Sequence, residues 1–168
     1  MMTIYKKQQG IVLVVSLVIL VLVTLLSVSS MKNTVLQEKM TGNYKDRNSA
    51  FQAAEAGLRG GENYLMATPV LPIFDSSTAG LYQPTSSGNA RWDLIDWENA
   101  GEVVSYTGTL TDIATAPKYI LEEIPPVPSP GGSKETGVAQ ENKYYRVTSQ
   151  AVGNTNNAVV ILQSTYKR

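Results

Sequence analysis

The hydropathy pattern is most one-sided near the start of the chain. Residues 10 to 31 read Gly-Ile-Val-Leu-Val-Val-Ser-Leu-Val-Ile-Leu-Val-Leu-Val-Thr-Leu-Leu-Ser-Val-Ser-Ser-Met, with no charge and no proline. From Ile11 to Val28 the side chains are almost wholly branched-aliphatic. A helix over that stretch rises about 27 Å, close to the roughly 30 Å hydrocarbon core of a bilayer. A lone segment in lipid must satisfy its own backbone, so it must be a helix. Lys6 and Lys7 precede it and Lys32 follows. Two other readings compete. A buried soluble helix is rarely apolar on every face over five turns. A secretory signal peptide fits the basic start, but its apolar core usually runs about 7–15 residues, and Ser27-Val28-Ser29 is a weak cleavage site.

Past Lys32 the pattern turns periodic. Leu36, Met40, Tyr44, Phe51, Ala54, Leu58 and Leu65 recur mostly at spacings of three, four or seven, which is one face of a helix. An unbroken helix over residues 11–66 would be about 84 Å long. Its first half is apolar all round and its second half, 32–66, one-sided. One-sidedness calls for a partner surface, a sheet later in the chain. Phe51, Ala54, Leu58 and Leu65 are the expected contacts. Gly42-Asn43 is the weak point, because glycine inside a helix costs about 1 kcal/mol. The pair is compatible with a kink, or with a restart capped by Asn43 with Asp46 at the third helical position. Gly60-Gly61 weakens the end, and Pro69 limits further extension.

Residues 67–90 hold Pro69, Pro72, Gly80, Pro84 and Gly88 among many Ser and Thr, and read as an irregular connection. Strands are expected at Arg91–Glu98, Glu102–Tyr106, Tyr119–Ile124, Tyr144–Val152 and Ala158–Tyr166. Trp92 and Trp97, five apart, would point to opposite faces of the first. Prolines and glycines from Pro125 to Gly132 place a loop over 125–137. Gly153-Asn154-Thr155-Asn156-Asn157 suggests a hairpin turn joining the last two strands. Tyr145, Val147 and Ala151 would face the core with either Val159 and Ile161 or Val160 and Leu162. The last strand is expected to be central. The fold class is α+β: a long N-terminal helix packed on a small antiparallel sheet.

Composition narrows the chemistry. The 168 residues contain neither Cys nor His. That removes disulfides, thiol nucleophiles, the usual general base and ordinary zinc sites. No enzyme activity, cofactor or metal is expected. Asp93, Asp96, Glu98, Glu122 and Glu123 could supply oxygens to calcium, but their spacing is no EF-hand and solvated charges are the default. Acidic and basic side chains balance at 14 each, so no nucleic-acid surface is implied.

Lys6-Lys7-Gln8-Gln9-Gly10 set directly against the apolar run resembles a type IV prepilin leader. The resemblance implies cleavage by a prepilin peptidase between Gly10 and Ile11 and N-methylation of Ile11. Family pilins usually begin with Phe, so Ile11 is a departure. A sharper likeness lies downstream: Leu36-Gln37-Glu38-Lys39-Met40-Thr41-Gly42-Asn43, then Asp46-Arg47, then Ala50-Phe51-Gln52-Ala53-Ala54-Glu55-Ala56-Gly57-Leu58-Arg59. With the leader and span, these resemble the N-terminal region of PilX-type minor pilins over residues 8–66.

The resemblance implies a division into leader 1–10, filament-core helix 11–31, amphipathic helix 32–66 and a β-rich extracytoplasmic head, 67–168. Neighbouring helices would pack on Val15, Leu17, Leu20, Leu22 and Leu25. Glu55 and Arg59, spaced i, i+4, are a solvated ion pair or a contact to a neighbouring pilin. Implied partners are the major pilin, other minor pilins, the prepilin peptidase, the inner-membrane assembly platform and a large tip adhesin. The protein would sit in the bacterial inner membrane with its amino end in the cytoplasm, then on the pilus. A count of flanking Lys and Arg alone favours the opposite orientation. Major pilins carry Glu at the fifth mature position, where this chain has Val15. The resemblance implies priming of assembly, in support of adhesion and motility, and that departure points to a place at or near the tip. Type II secretion minor pseudopilins share it and are the first alternative. A membrane-anchored periplasmic binding module or enzyme is the second.

Overall fold

The computed structural model describes residues 10–85, 90–125 and 143–168. Lys6, Lys7 and nearly all of the 125–137 loop fall outside them. One helix, α1, runs from Ile11 to Ala67, through Gly42-Asn43 without a restart and through Gly60-Gly61 without ending. The chain divides into an N-terminal unit ending at Asn43 and a second unit, Tyr44–Arg168.

In the first unit every described residue is exposed. Its hydroxyls turn back on the helix. Ser16 donates to the Leu13 carbonyl (2.9 Å), Thr24 to Val21 (2.8 Å) and Ser27 to Val23 (2.8 Å). A hydroxyl satisfied this way can enter lipid without an orphan donor. Among the described residues α1 is the one helix long and apolar enough to cross a membrane.

The second unit is built on a mixed sheet. Its strands are β1 (Leu81–Tyr82), β2 (Val104–Ser105), β3 (Lys118–Ile124), β4 (Tyr144–Val152) and β5 (Val159–Lys167). The order is β1-β3-β4-β5, with β2 also on β3. β3, β4 and β5 are antiparallel neighbours, registered by Leu121↔Val147 and Val147↔Ser164. β1 runs parallel to β3, so the sheet is not purely antiparallel as expected. Among the described residues β5 is an edge strand, not a central one.

α1 docks on one face of this sheet through small side chains. Its buried residues are Ala50, Ala53, Ala54, Gly57, Gly61 and Leu65. A Cβ at Gly61 would lie 2.5 Å from Val147 Cγ1, one at Gly60 2.8 Å from Tyr106 Cδ2, and one at Gly57 would collide with the Ser149 hydroxyl. Removing those carbons lets helix and sheet approach, which is why Gly60-Gly61 sits inside the helix at a tolerable propensity cost. The core on this side joins Leu65, Phe74, Leu81, Tyr119, Leu121, Tyr145 and Val147. Val160 and Leu162 join Ala53, Ala54 and Ala151, which decides the facing set of β5.

The opposite face is also covered. Ile120, between Tyr119 and Leu121, packs with Tyr82, Trp97 and Val103. The expected strand at Arg91–Glu98 is instead a single helical turn, α2 (Arg91–Leu94), followed by turns. Trp92 and Trp97 therefore share one cluster rather than opposite faces, and Trp97 Nε1 donates to the Trp92 carbonyl at 3.0 Å. The indoles alternate with acids there, and burial against the sheet outweighs the strand propensity of a short segment.

Candidate assembly surface

No group of three or more metal-ligating side chains occurs among the described residues. Four of the five carboxylates weighed for calcium have a protein group close by. Glu98 pairs with Lys118 at 3.1 Å and Glu123 with Lys143 at 3.7 Å. Glu122 is 2 % exposed and lies 3.7 Å from Arg146 Nη1. Burial pushes its carboxyl above the usual range, while the Arg146 and Arg91 guanidinium groups pull the other way. Asp96 accepts from the Glu98 backbone N–H at 2.9 Å, an ordinary turn contact.

What the chain presents in quantity is apolar surface on α1. Ile11, Val15, Leu17, Leu20, Leu22 and Leu25 are each more than half exposed. No acid interrupts this surface: the first carboxylate after Gly10 is Glu38. Gly10 is a turn residue immediately before the helix.

In the second unit the expected head-facing residues separate. Ala54 and Leu65 are fully buried and Leu58 packs against the core. Phe51 does not: it is 46 % exposed, with Tyr44 one heptad earlier at 75 %. Periodicity places Phe51 near the buried face, but the docked face is defined by small residues and a large ring is left at its flank. Arg59 Nη2 donates to Glu55 Oε1 at 2.5 Å, with both side chains in solvent. The exposed side chains of α1 in this unit thus include two large rings and a charged pair.

The tether between α1 and the β4–β5 turn was not read from the sequence in this form. Asp46 Oδ1 accepts from the Thr155 backbone N–H at 3.0 Å, and Asp46 Oδ2 accepts from the Thr155 hydroxyl. The restart reading makes Asn43 a cap with Asp46 at the third helical position; in the structure Asn43 lies inside α1 and the Asp46 carboxylate serves the turn. The signal was the Asn-Thr-rich turn itself, which offers donors to an acid from elsewhere.

Comparison with known proteins returns one finding. The family described as PilX N-terminal matches residues 9–59. No curated protein and no solved structure matches the chain. The match covers the exposed apolar helix and the start of the small-residue stripe that seats it on the sheet. Together with the α+β fold, it supports a PilX-type type IV pilin, a structural component of the type IV pilus.

Proposed function

We propose that this protein is a minor pilin that primes type IV pilus assembly and sits at or near the pilus tip, where it supports adhesion and motility. The observation that carries the tip position is Val15. In a filament whose core is built of helices like residues 11–31, each amino-terminal ammonium enters an apolar environment. An unpaired buried ammonium there is costly, and a carboxylate at the fifth mature position of the subunit below relieves it. Val15 cannot supply one, and no other acid precedes Glu38. A subunit with nothing above it has no such charge to meet, while its own Ile11 amine can still pair with the acid of the subunit below.

In this reading a prepilin peptidase removes residues 1–10, and Ile11 becomes the methylated amino terminus. Val15, Leu17, Leu20, Leu22 and Leu25 then exchange lipid for neighbouring pilin helices. Before assembly the protein spans the inner membrane once, with its amino end in the cytoplasm. Its partners are the assembly platform, the major pilin and the other minor pilins, with a large adhesin at the tip. The test is an epitope inserted between Pro130 and Gly131, followed by immunogold imaging of sheared pili. Gold at one end of each filament is expected. Gold scattered along the shafts defeats the tip position, and its absence from pili defeats the pilus assignment in favour of a secretion pseudopilin.

A further inference from the structure

From Gly10 through Lys45 every described residue of the chain is exposed. Asp46 is the first that is not; Arg47 and Asn48 are exposed again, Ser49 is half-buried, and full burial begins at Ala50. The turn of α1 just before Ala50 is therefore held chiefly by one side chain. Its carboxylate takes hydrogen bonds from the Thr155 hydroxyl and from the Thr155 backbone N–H. The receiving turn is itself braced: Gly153 N–H donates to the Ala158 carbonyl at 3.1 Å, and Ala114 N–H donates to the Gly153 carbonyl at 2.7 Å. Any Cβ at Gly153 would collide with the carbonyl and carboxylate of Asp46, so the turn comes as close as a backbone can. Upstream lies Gly42, where an added Cβ would meet nothing within 4 Å. The residue of lowest intrinsic helicity in this stretch thus lies four positions, about one helical turn, before the first tether.

We infer that Asp46 and the Gly153–Thr155 turn form a latch that fixes how far α1 can uncoil. Opening that starts upstream proceeds to Gly42-Asn43 and stops at Asp46. Without the latch the next tether is Ala50, about one helical turn further on. The latch thereby sets the length of α1 that can change conformation without disturbing the sheet. It does not depend on a tip position. The Thr155 hydroxyl and backbone donors hold the Asp46 carboxyl below its ordinary 3.8, so the latch is fully formed above that value and loosens only as pH falls through the lowered one.

The test is amide hydrogen exchange by mass spectrometry on the full chain in detergent micelles. Three forms are compared with the parent: Asp46→Ala, Gly153→Ala and Thr155→Val. Alanine is a better helix former than aspartate, so lost protection in Asp46→Ala does not arise from propensity. Exchange over Tyr44–Ala50 is expected to accelerate roughly tenfold in Asp46→Ala and Gly153→Ala, and by less in Thr155→Val. Gly57–Leu65 and β4 should keep their protection. Unchanged exchange over Tyr44–Ala50 in both strong variants overturns the latch. Equal loss reaching Leu65 and β4 also overturns it, because Asp46 would then support the whole head rather than one boundary.

Discussion

Leu20 and Leu65 lie on the same helix, one 65 % exposed and the other fully buried. The difference is a difference of solvent. Around Leu20 the side chains are large and apolar on all sides of the helix, and in the proposed pilin role, where lipid tails or other helices surround them, bulk is an advantage. Around Leu65 the contact surface is a sheet of the same chain, and the neighbouring buried residues are Ala and Gly. Bulk is excluded there because the partner is already in place. On the proposed reading one element carries two contact codes, large residues for a partner that must still arrive and small ones for a partner built in.

The largest expected effect comes from breaking the first code. Leu20→Lys places an ammonium near the middle of residues 11–31, at a cost of about 2.5–3.5 kcal/mol for insertion. The variant should be lost from the membrane fraction and from pili. Carbonate extraction of membranes and immunoblotting measure this. Full retention in both would mean that residues 11–31 do not require an apolar surrounding.

Gly61→Val breaks the second code. The added carbons meet Val147, Tyr119 and Leu121, and overpacking of this kind costs about 1–3 kcal/mol. Thermal unfolding of the head in micelles should shift down by several degrees, while membrane insertion is unaffected. Gly42→Ala is the control: its Cβ meets nothing within 4 Å, and the gain in propensity of up to about 1 kcal/mol should not lower stability.

These two codes explain which parts of the fold were legible from the sequence. Ile11–Val28 announces itself because no soluble alternative tolerates such a run. β4 and the turn after it are clear because Tyr145, Val147 and Ala151 alternate between turn residues. The docked face of α1 was only half readable, since Ala and Gly carry little hydrophobic signal and the periodicity of larger residues drew Phe51 into the set. β1 is two residues long and pairs in parallel with β3, a contact set by tertiary packing that local propensity does not encode. The Trp92–Trp97 stretch failed for the same reason: its indoles are buried by a turn of helix and loops laid on the sheet.

The buried carboxylate under that layer gives a smaller, pH-dependent effect. Burial raises the Glu122 carboxyl above its ordinary 4.5, so its protonated form is the one the fold favours. The head should then be relatively more stable at low pH and lose that increment as pH rises from 4.5 through the raised value. Glu122→Gln removes the titration. Its melting temperature, compared with that of the parent, should gain as pH is taken from 4 to 7. An identical pH profile for both proteins would show that Arg146 and Arg91 fully offset burial.

The smallest effect expected on stability is at Glu55 and Arg59, and for that reason the pair separates folding from assembly most cleanly. Their bond is short at 2.5 Å, yet the Arg59 and Glu55 side chains are 72 % and 42 % exposed. An exposed i, i+4 pair contributes about 0.2–0.5 kcal/mol and is screened by salt. Arg59→Ala should therefore move the melting point of the head by a degree or so, and less at high salt. If the pair is only a solvated ornament of the helix, pili should form in normal number. If Arg59 meets a neighbouring pilin, pilus number should fall with the melting point unchanged, and a charge-swapped Glu55→Arg, Arg59→Glu protein, which keeps the internal pair, should fail to restore it. A restored pilus number in the swapped protein would place the function of the pair within the helix itself.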